Sequence, residues 1–359
     1  MWSLVTCRRL SAAMPSTSKM YIDYIFSAEI SKKFEHVIEF KSMEFMNTLH
    51  RDDQSMLDKR KAIDTTRRKL YRAFQSQGMC IVPIGSVSNQ LLSSQSDLDV
   101  VLLPSQDTQE CKNFMKKFNS NQGFKVGYMN NVKDLIKRNR LQKNVIIIIP
   151  SARIPLVQFK SREKVQVDIQ FGNIGPIRSS LFVRTCVEFD ERVRPIILWL
   201  TKKFEKFGIL NSKAGMFSKY HVNSLVLHFL QTMPYPVLPD IIKLSPWLSL
   251  TNDYHNAVRV LGKQGSLYVP CNDVPNEMNI GAIIVQMIDY YSQIDFDKCA
   301  IDTRGNLLNR SDYSLSLELV DLYFAEPTCR VGNASNILKD LFASQRKLLE
   351  NGNFNEVFV

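Results

Sequence analysis

Two short apolar runs in this chain carry carboxylates where an unpaired charge is expensive. Ser96-Asp97-Leu98-Asp99 leads into Val100-Val101-Leu102-Leu103, and Val165-Gln166-Val167-Asp168-Ile169-Gln170-Phe171 follows later. Runs of this length, rich in β-branched residues, read as buried strands. In a strand, residues i and i+2 share a face, so Asp97 and Asp99 project side by side. Like charges that close repel unless something positive lies between them, and a hard divalent cation with oxygen ligands meets that need. Asp168 adds a third acid in an apolar strand, where an unpaired carboxylate is costly. Three acids on neighbouring strands can hold two Mg²⁺ ions, one activating a hydroxyl and both neutralising charge in an in-line phosphoryl displacement. Gly85-Ser86 lies upstream of the acidic pair. There the glycine admits a phosphate to the backbone, and Ser86 offers a hydroxyl and an N–H in a loop that opens a helix.

Composition narrows the class. With 359 residues, 45% of them apolar, the chain can bury a sizeable core in two domains. Lys+Arg 46 against Asp+Glu 35 gives +11, which favours a polyanionic partner such as nucleic acid or nucleotide. The 7 cysteines form no CxxC pair and the 5 histidines show no ligand spacing, so reduced thiols in an intracellular protein are expected and no zinc site. The longest strictly aliphatic run, 145–149, is far too short to cross a membrane. The first residues hold Arg8, Arg9 and Lys19 and no acid before Asp23, which resembles a mitochondrial presequence; a short disordered tail has the same look.

Periodicity supplies the organisation. Apolar residues at helical spacing cover 30–49 and then 56–74. Strands are expected at 79–84, 97–103, 145–149, 155–159 and 165–171. The segment 111–143 carries nine Lys or Arg against one acid, Asp134, and could track a phosphate backbone. From about Arg178 the pattern is helical, with long apolar faces at 181–207, 217–231, 278–291 and 335–349. This reads as α+β: a disordered tail or targeting segment at 1–25, an N-terminal helix at 26–58 expected to pack on the helical domain, a small α/β unit at 59–175, and a helical domain at 176–359.

GSVSNQLLSSQSDLDVVLL resembles the signature of the DNA polymerase beta-like nucleotidyltransferase superfamily. ARIPLVQFK, VDIQFGNIGPIRSSLFVRT, ERVRPIILWLTKKFEKFGI, SKYHVNSLVLHFLQTMPYPVLPDI and MNIGAIIVQMIDYYSQIDFDKCAIDTR follow in the order of the cytoplasmic poly(A) polymerase and terminal uridylyltransferase group. Germline-type cytoplasmic poly(A) polymerases are the nearest in character. The resemblance implies a nucleotidyltransferase palm, a mixed sheet with helices, and a mostly helical central domain whose poly(A)-polymerase-associated region spans about 277–330.

It also implies roles. Asp97, Asp99 and Asp168 match the family's metal-binding carboxylates, with Asp168 on the side of the RNA 3′ hydroxyl. Gly85 and Ser86 match the turn that meets the nucleotide's phosphates. Lys202 matches the helix lysine that meets the triphosphate, and Lys206, four residues on, can share its face. Ser218 and Tyr220 match the pair that holds the base, and a ring at Tyr220 would stack on any base. Several positions depart from the pattern: Gln90 stands where a second glycine is usual, Ser179 replaces an asparagine, Phe204 a tryptophan, and His221 a serine.

Base choice is expected to turn on the loop from Glu326 to Asn333. Uridylyltransferases of the group carry a histidine just before the asparagine, and here that slot holds Gly332. An empty slot leaves room for adenine and points to ATP. The expectation is a template-independent RNA 3′-end adenylyltransferase using two Mg²⁺ or Mn²⁺ ions. A uridylyltransferase and a catalytically weak scaffold of the same fold are the alternatives. The sequence shows no RNA-binding module, so the RNA 3′ end is expected to be chosen with an RNA-binding partner protein, in the cytoplasm or, on the N-terminal reading, the mitochondrion.

Overall fold

The structure, a computed structural model, describes residues 22–105, 108–152, 154–251, 253–262, 276–310, 316–324 and 331–358. The expected presequence and residues 325–330 of the C-terminal loop lie outside them. Three helices come first: α1 (Ile25–Lys33), α2 (Glu35–Ser55) and α3 (Leu57–Gln75). The single helix expected over 30–49 is broken at Phe34, whose φ of −124° ends α1 and whose ring packs 5.0 Å from that of Phe354.

A mixed sheet follows, built from β1 (Cys80–Pro83), β2 (Leu98–Leu103), β3 (Ile147–Ile149), β4 (Leu156–Lys160) and β5 (Gln166–Gln170), in the order β1-β2-β5-β4-β3. Only β2 and β5 run parallel within it; the other pairs are antiparallel. A parallel pair needs a long crossover. Here α4 (Thr108–Ser120), α5 (Gln122–Arg138) and the β3–β4 hairpin fill it.

Alternation along the strands sorts the side chains. Leu98, Val100 and Leu102 of β2 join Val167 and Ile169 of β5 and Val157 and Phe159 of β4 in one core with Leu70 and Phe74 of α3 and Val132 and Ile136 of α5. On the opposite face Val82, Val101 and Leu103 belong to a second, larger core shared with the helices that follow. On that opposite face Asp99, Asp168, Gln158 and Gln166 are all half-buried, beside Leu156 and the edge residues Ile147 and Ile149.

The helical part contains α6 (Gly175–Phe189), α7 (Val193–Lys206), α8 (Lys219–Thr232), α9 (Ile241–Leu244), α10 (Tyr254–Leu261), α11 (Ile280–Gln293), α12 (Ala334–Glu350) and α13 (Phe354–Phe358). The apolar stretch 181–207 is two helices. The chain turns at Asp190, where Arg192 Nη2 meets Asp190 Oδ2 at 2.7 Å and the Arg192 N–H donates to Asp190 Oδ1 at 2.9 Å. Pro195 then sits in the first turn of α7, where a missing N–H is tolerated. A small sheet, unforeseen in the sequence, forms from β6 (Cys299–Asp302), β7 (Leu307–Asn309) and β8 (Leu319–Val320) in the order β7-β6-β8. Its strands are too short and too close to helical stretches for their period to stand out.

Close backbone packing fixes α2 on α11. A Cβ at Gly281 would lie 2.7 Å from Ile38 Cγ2 and 2.9 Å from the Ile38 carbonyl oxygen. Asp289 of α11 is fully buried, accepting from the Ser27 N–H of α1 at 2.9 Å and pairing with Arg346 of α12 at 2.8 Å. No helix among the described residues is long and apolar enough to cross a membrane.

The last helix caps α7. Trp199 Nε1 donates to the Val357 carbonyl at 2.7 Å, and the buried Lys203 ammonium donates to the Glu356 carbonyl. Burial, and then the like charge of Lys206, push Lys203 down from 10.5 to about 8. The native state therefore binds fewer protons than the unfolded chain between those two values, and by linkage stability rises as pH climbs through that window. In denaturant titrations the unfolding free energy should rise from pH 8 to 10.5 in the wild type relative to Lys203→Met, by about 1–3 kcal/mol. Parallel pH profiles for the two proteins would show that no buried ammonium is present.

Candidate active site

The parallel pairing of β2 with β5 sets Leu98 opposite Val167 and Asp99 opposite Asp168. Both acids stand on the polar side of the sheet because their neighbours Leu98, Val100, Val167 and Ile169 are buried on the other. Asp168 also lies opposite Gln158 of β4. Gln158 Nε2 donates to Asp168 Oδ2 at 2.8 Å and Gln166 Nε2 to Asp168 Oδ1 at 3.1 Å.

Gly85 closes over Asp99. The Ile84 N–H donates to the Asp99 carbonyl at 3.0 Å, and the segment read as a loop or helix start turns through a single 3-10 turn, Gly85–Val87. Gly85 has φ +62°, and a Cβ on it would lie 3.3 Å from Asp99 Oδ2. Its N–H donates to Ser180 Oγ of α6 at 2.9 Å. Ser86 is half-buried in the same turn. Gln90, the departure from glycine, has φ +63°, a region glycine prefers. It is held there by its own amide on Glu188 at 2.6 Å and by Arg194 Nε on its carbonyl at 2.9 Å.

Asp97 precedes β2 by one residue and is half-buried. Lys59 of α3 stands near it, and Lys219 of α8 stands near Lys59. Burial pushes the Lys59 ammonium down, Asp97 pulls it up, and Lys219 pushes it down again. Lys59 also donates to the Ser94 carbonyl, and Lys219 to Ser93 Oγ at 3.1 Å. A cavity of about 530 Å³ opens beside Asp97, bordered by Lys59, Lys160, Lys164 and Gln166.

The donor set fits a hard divalent cation, since two half-buried carboxylates face each other in register and a third lies two residues along the same strand. As their side chains stand, no group of three His, Cys, Asp or Glu among the described residues is gathered closely enough to share one.

The remaining expected residues sit on the helical part. Ser218 is the N-cap of α8, and its N–H donates to His221 Nδ1 at 2.9 Å. The histidine at the departed position thus closes a capping box. Tyr220 donates from its phenol to Asp321 Oδ2 at 2.5 Å, while the Tyr323 N–H reaches Asp321 Oδ1 at 2.6 Å. Burial raises the Asp321 carboxyl, with the Tyr220 and Tyr323 bonds opposing. Lys202 Nζ donates to Asp52 Oδ2 of α2 at 2.9 Å, and Lys206 is exposed one turn further. The adjacent Asp53 accepts from Arg194 Nη2 at 2.7 Å and Arg60 Nη2 at 2.8 Å. Phe207 is 46% exposed, so the end of α7 is open rather than buried as its sequence suggests. Asn333 begins α12 with φ +61°, and a Cβ at Gly332 would meet nothing within 4 Å.

The structure therefore gathers Gly85, Asp99 and Asp168, places Asp97 beside Lys59, and commits Lys202 to Asp52. Sequence reasoning missed Lys59, Lys219, Gln158, Gln166, Ser180 and Asp321. Only the alternation of Gln166 and Gln158 with buried residues, which aims them to the face of Asp168, was there to be read.

Residues 38–188 match the family model described as Poly(A) RNA polymerase, mitochondrial-like, central palm domain. The match begins in α2 and runs into α6. The human Poly(A) RNA polymerase GLD2 is 31% identical over 156 residues, 43% of this chain and 31% of the relative. The Drosophila melanogaster gld-2 homolog A is 28% identical over 255 residues, 66% of this chain and 17% of the relative. The chain spans under a third of the length of these curated relatives. Among solved structures, the GLD-2/RNP-8 complex superposes with TM-score 0.67 at 18% identity, covering 89% of this chain and 98% of that one. A mutant of the Cid1 poly(U) polymerase bound to MgATP gives TM-score 0.64 at 18% identity, covering 90% and 99%. At that identity the likeness is one of fold.

The Gly85 turn yields a stability test. A side chain at a left-handed position costs about 1–2 kcal/mol. Gly85→Ala should lower the unfolding free energy by at least that much, and by more than Gly78→Ala, where φ is +73° but the surroundings are open. Equal losses in denaturant titrations would show that the Asp99 carboxylate does not pack on the turn.

Proposed function

Because the chain belongs to the poly(A)/poly(U) RNA polymerase family of nucleotidyltransferases, we propose that it adds AMP from ATP to RNA 3′ hydroxyls without a template. The observation that carries this reading is the register pair Asp99–Asp168, with the Gly85 turn against Asp99. Asp97, Asp99 and Asp168 would hold two Mg²⁺ or Mn²⁺ ions, which supply a Lewis acid for the triphosphate and lower the pKa of the attacking hydroxyl.

The chain's own groups do the rest. The turn at Gly85 and Ser86 presents the Ser86 N–H and hydroxyl to the phosphates, while the Gly85 N–H is held by Ser180. Asp168, aligned by Gln158 and Gln166, accepts the proton of the RNA 3′ hydroxyl. That oxygen forms its bond to the α-phosphorus, and pyrophosphate leaves with the broken P–O bond. Lys202 and Lys206 take the charge of the triphosphate; Lys202 must first leave Asp52, a half-exposed pair of the kind worth under about 1 kcal/mol. Tyr220 stacks on the base, its ring plane fixed by Asp321, with Ser218 at the helix start and Asn333 at the far side of the base. The open surroundings of Gly332 favour the larger purine.

Target choice falls to an RNA-binding partner protein, a reading supported by the structural neighbour solved with RNP-8. The proposed location is the cytoplasm, with the mitochondrion as the alternative raised by the acid-free first residues.

The decisive experiment incubates purified protein with an oligo(A) primer, Mg²⁺ or Mn²⁺, and each nucleoside triphosphate separately. ATP should be used best. Preferential use of UTP would establish the uridylyltransferase alternative, and no addition with any nucleotide the weak scaffold. Asp97→Ala and Asp99→Ala should each retain no more than a few per cent of the wild-type rate. In EDTA both should melt no lower than wild type, since removing one of several like charges relieves repulsion. Substantial activity in either variant would remove the metal-site assignment.

Gly332→His should move preference from ATP toward UTP. An imidazole there narrows the pocket against a purine and offers a hydrogen bond to a pyrimidine edge. The expected change in relative kcat/KM is roughly ten- to two-hundred-fold. An unchanged ratio would place base selection elsewhere.

A further inference from the structure

A second cavity, of about 570 Å³, lies between α3, the loop after α5 and the β4–β5 turn. Lys69, Arg72, Arg140 and Arg162 line it, against one acid, Glu163. That acid is already engaged: its carboxylate pairs with Lys69 and accepts from Thr66 Oγ1 at 3.2 Å. No ion pair is formed by Arg72, Arg140 or Arg162 among the described residues. Glu163 also borders the cavity beside Asp97, together with Asp58, so the two cavities flank the β4–β5 turn. Lys160 and Lys164 of that turn face the first, and Arg162 faces the second.

The backbone under these cations is unusual. Arg140 follows the C-cap of α5 with φ +53°, closing the helix through Arg140 N–H to the Lys137 carbonyl at 2.9 Å and Leu141 N–H to the Ile136 carbonyl at 3.1 Å. Lys164 ends the β4–β5 turn with φ +64°. At both places glycine is the cheaper residue. A cationic side chain stands at each, and each lines one of the two cavities. Strain of this kind is retained where the side chain serves a purpose.

The frame is built. The Arg162 N–H donates to the Leu141 carbonyl at 3.3 Å and the Lys143 N–H to the Lys160 carbonyl at 2.7 Å. Gln142 bridges Ser161, and Ser161 Oγ meets Thr66 Oγ1 of α3 at 3.1 Å. Three separate stretches of chain thus hold their cations in a fixed array, which suits the regular charges of a nucleic-acid backbone.

We propose that the two cavities form one track for the RNA primer. The strand enters the carboxylate site past Lys160 and Lys164, and its upstream phosphates dock on Arg72, Arg140 and Arg162. Choosing RNA as the polyanion rests on the proposed function. Guanidinium groups grip phosphate oxygens in pairs and read no base, so the track binds without regard to sequence.

The test uses the full chain with Arg140→Gly and Arg162→Gln combined. Glycine at residue 140 suits the backbone, so the variant should be at least as stable as wild type. Binding of a long oligo(A) is measured over a range of salt. Losing two phosphate contacts on a single strand should reduce the slope of log affinity against log salt by about 1.4, with roughly ten-fold weaker binding. The KM for ATP and for a primer only a few nucleotides long should not change. Unchanged affinity and slope in the folded variant would overturn the track and leave an acidic protein segment as the occupant; equal losses for long and short primers would overturn it as well. The binding measurement needs no turnover. A protein that adds no nucleotide but loses RNA affinity in the variant keeps the track and loses the proposed function. One that adds AMP and binds RNA equally well in both forms does the reverse.

Discussion

Two negative charges held opposite each other on adjacent parallel strands repel in any fold that leaves them alone. In this chain the sheet accepts that repulsion at Asp99 and Asp168 and surrounds it with compensation. Gln158 and Gln166 donate to one carboxylate. A glycine turn backs the other. Lys59 of α3 sits near the third acid, Asp97. Much of the chain from α4 to β4 serves as the crossover that brings Asp168 back beside Asp99, since parallel strands cannot be joined by a tight turn.

The site is also stitched to the helices behind it. Val82, Val101 and Leu103 of the sheet belong to the same core as α6, α7, α8 and α11. Gly85 is anchored on Ser180 of α6, and Lys219 reaches back to the loop before β2. The carboxylate face and the helices carrying Tyr220 and Lys202 therefore share one apolar interior, and a change in packing on α6 reaches Asp99 through a single hydrogen bond.

The strands of the five-stranded sheet were legible as short apolar runs between turn residues, and the structure starts them within two residues of where the sequence puts them. The α+β class and the order of strands before helices followed from the same periods. The helix breaks at Phe34 and Asp190 were not legible, because the apolar spacing continues across them and only φ and an Asp–Arg contact mark the turn. The partners of the candidate site residues were hidden for another reason. Asp52 lies 150 residues from Lys202 and Asp321 lies 101 residues from Tyr220. No local pattern encodes such pairs; packing of α2 on α11 and the small β6–β8 sheet create them.

The glycine contact between α2 and α11 bears on how the site would work. With Ile38 and Ser42 packed against Gly281, the two helices meet at a residue that has no side chain to hold them apart. The end of α2 is tied further by Asp53 to Arg194 and Arg60. Asp52 is thus a fixed tethered anion, and Lys202 is the mobile member of their pair. On the proposed reading, nucleotide capture at this lysine is a counter-ion exchange: the triphosphate displaces a carboxylate through rotation of one side chain. Affinity for the incoming nucleotide would then carry a built-in discount, equal to the strength of the pair it replaces, and would weaken the hold of α7 on α2 whenever the site is filled.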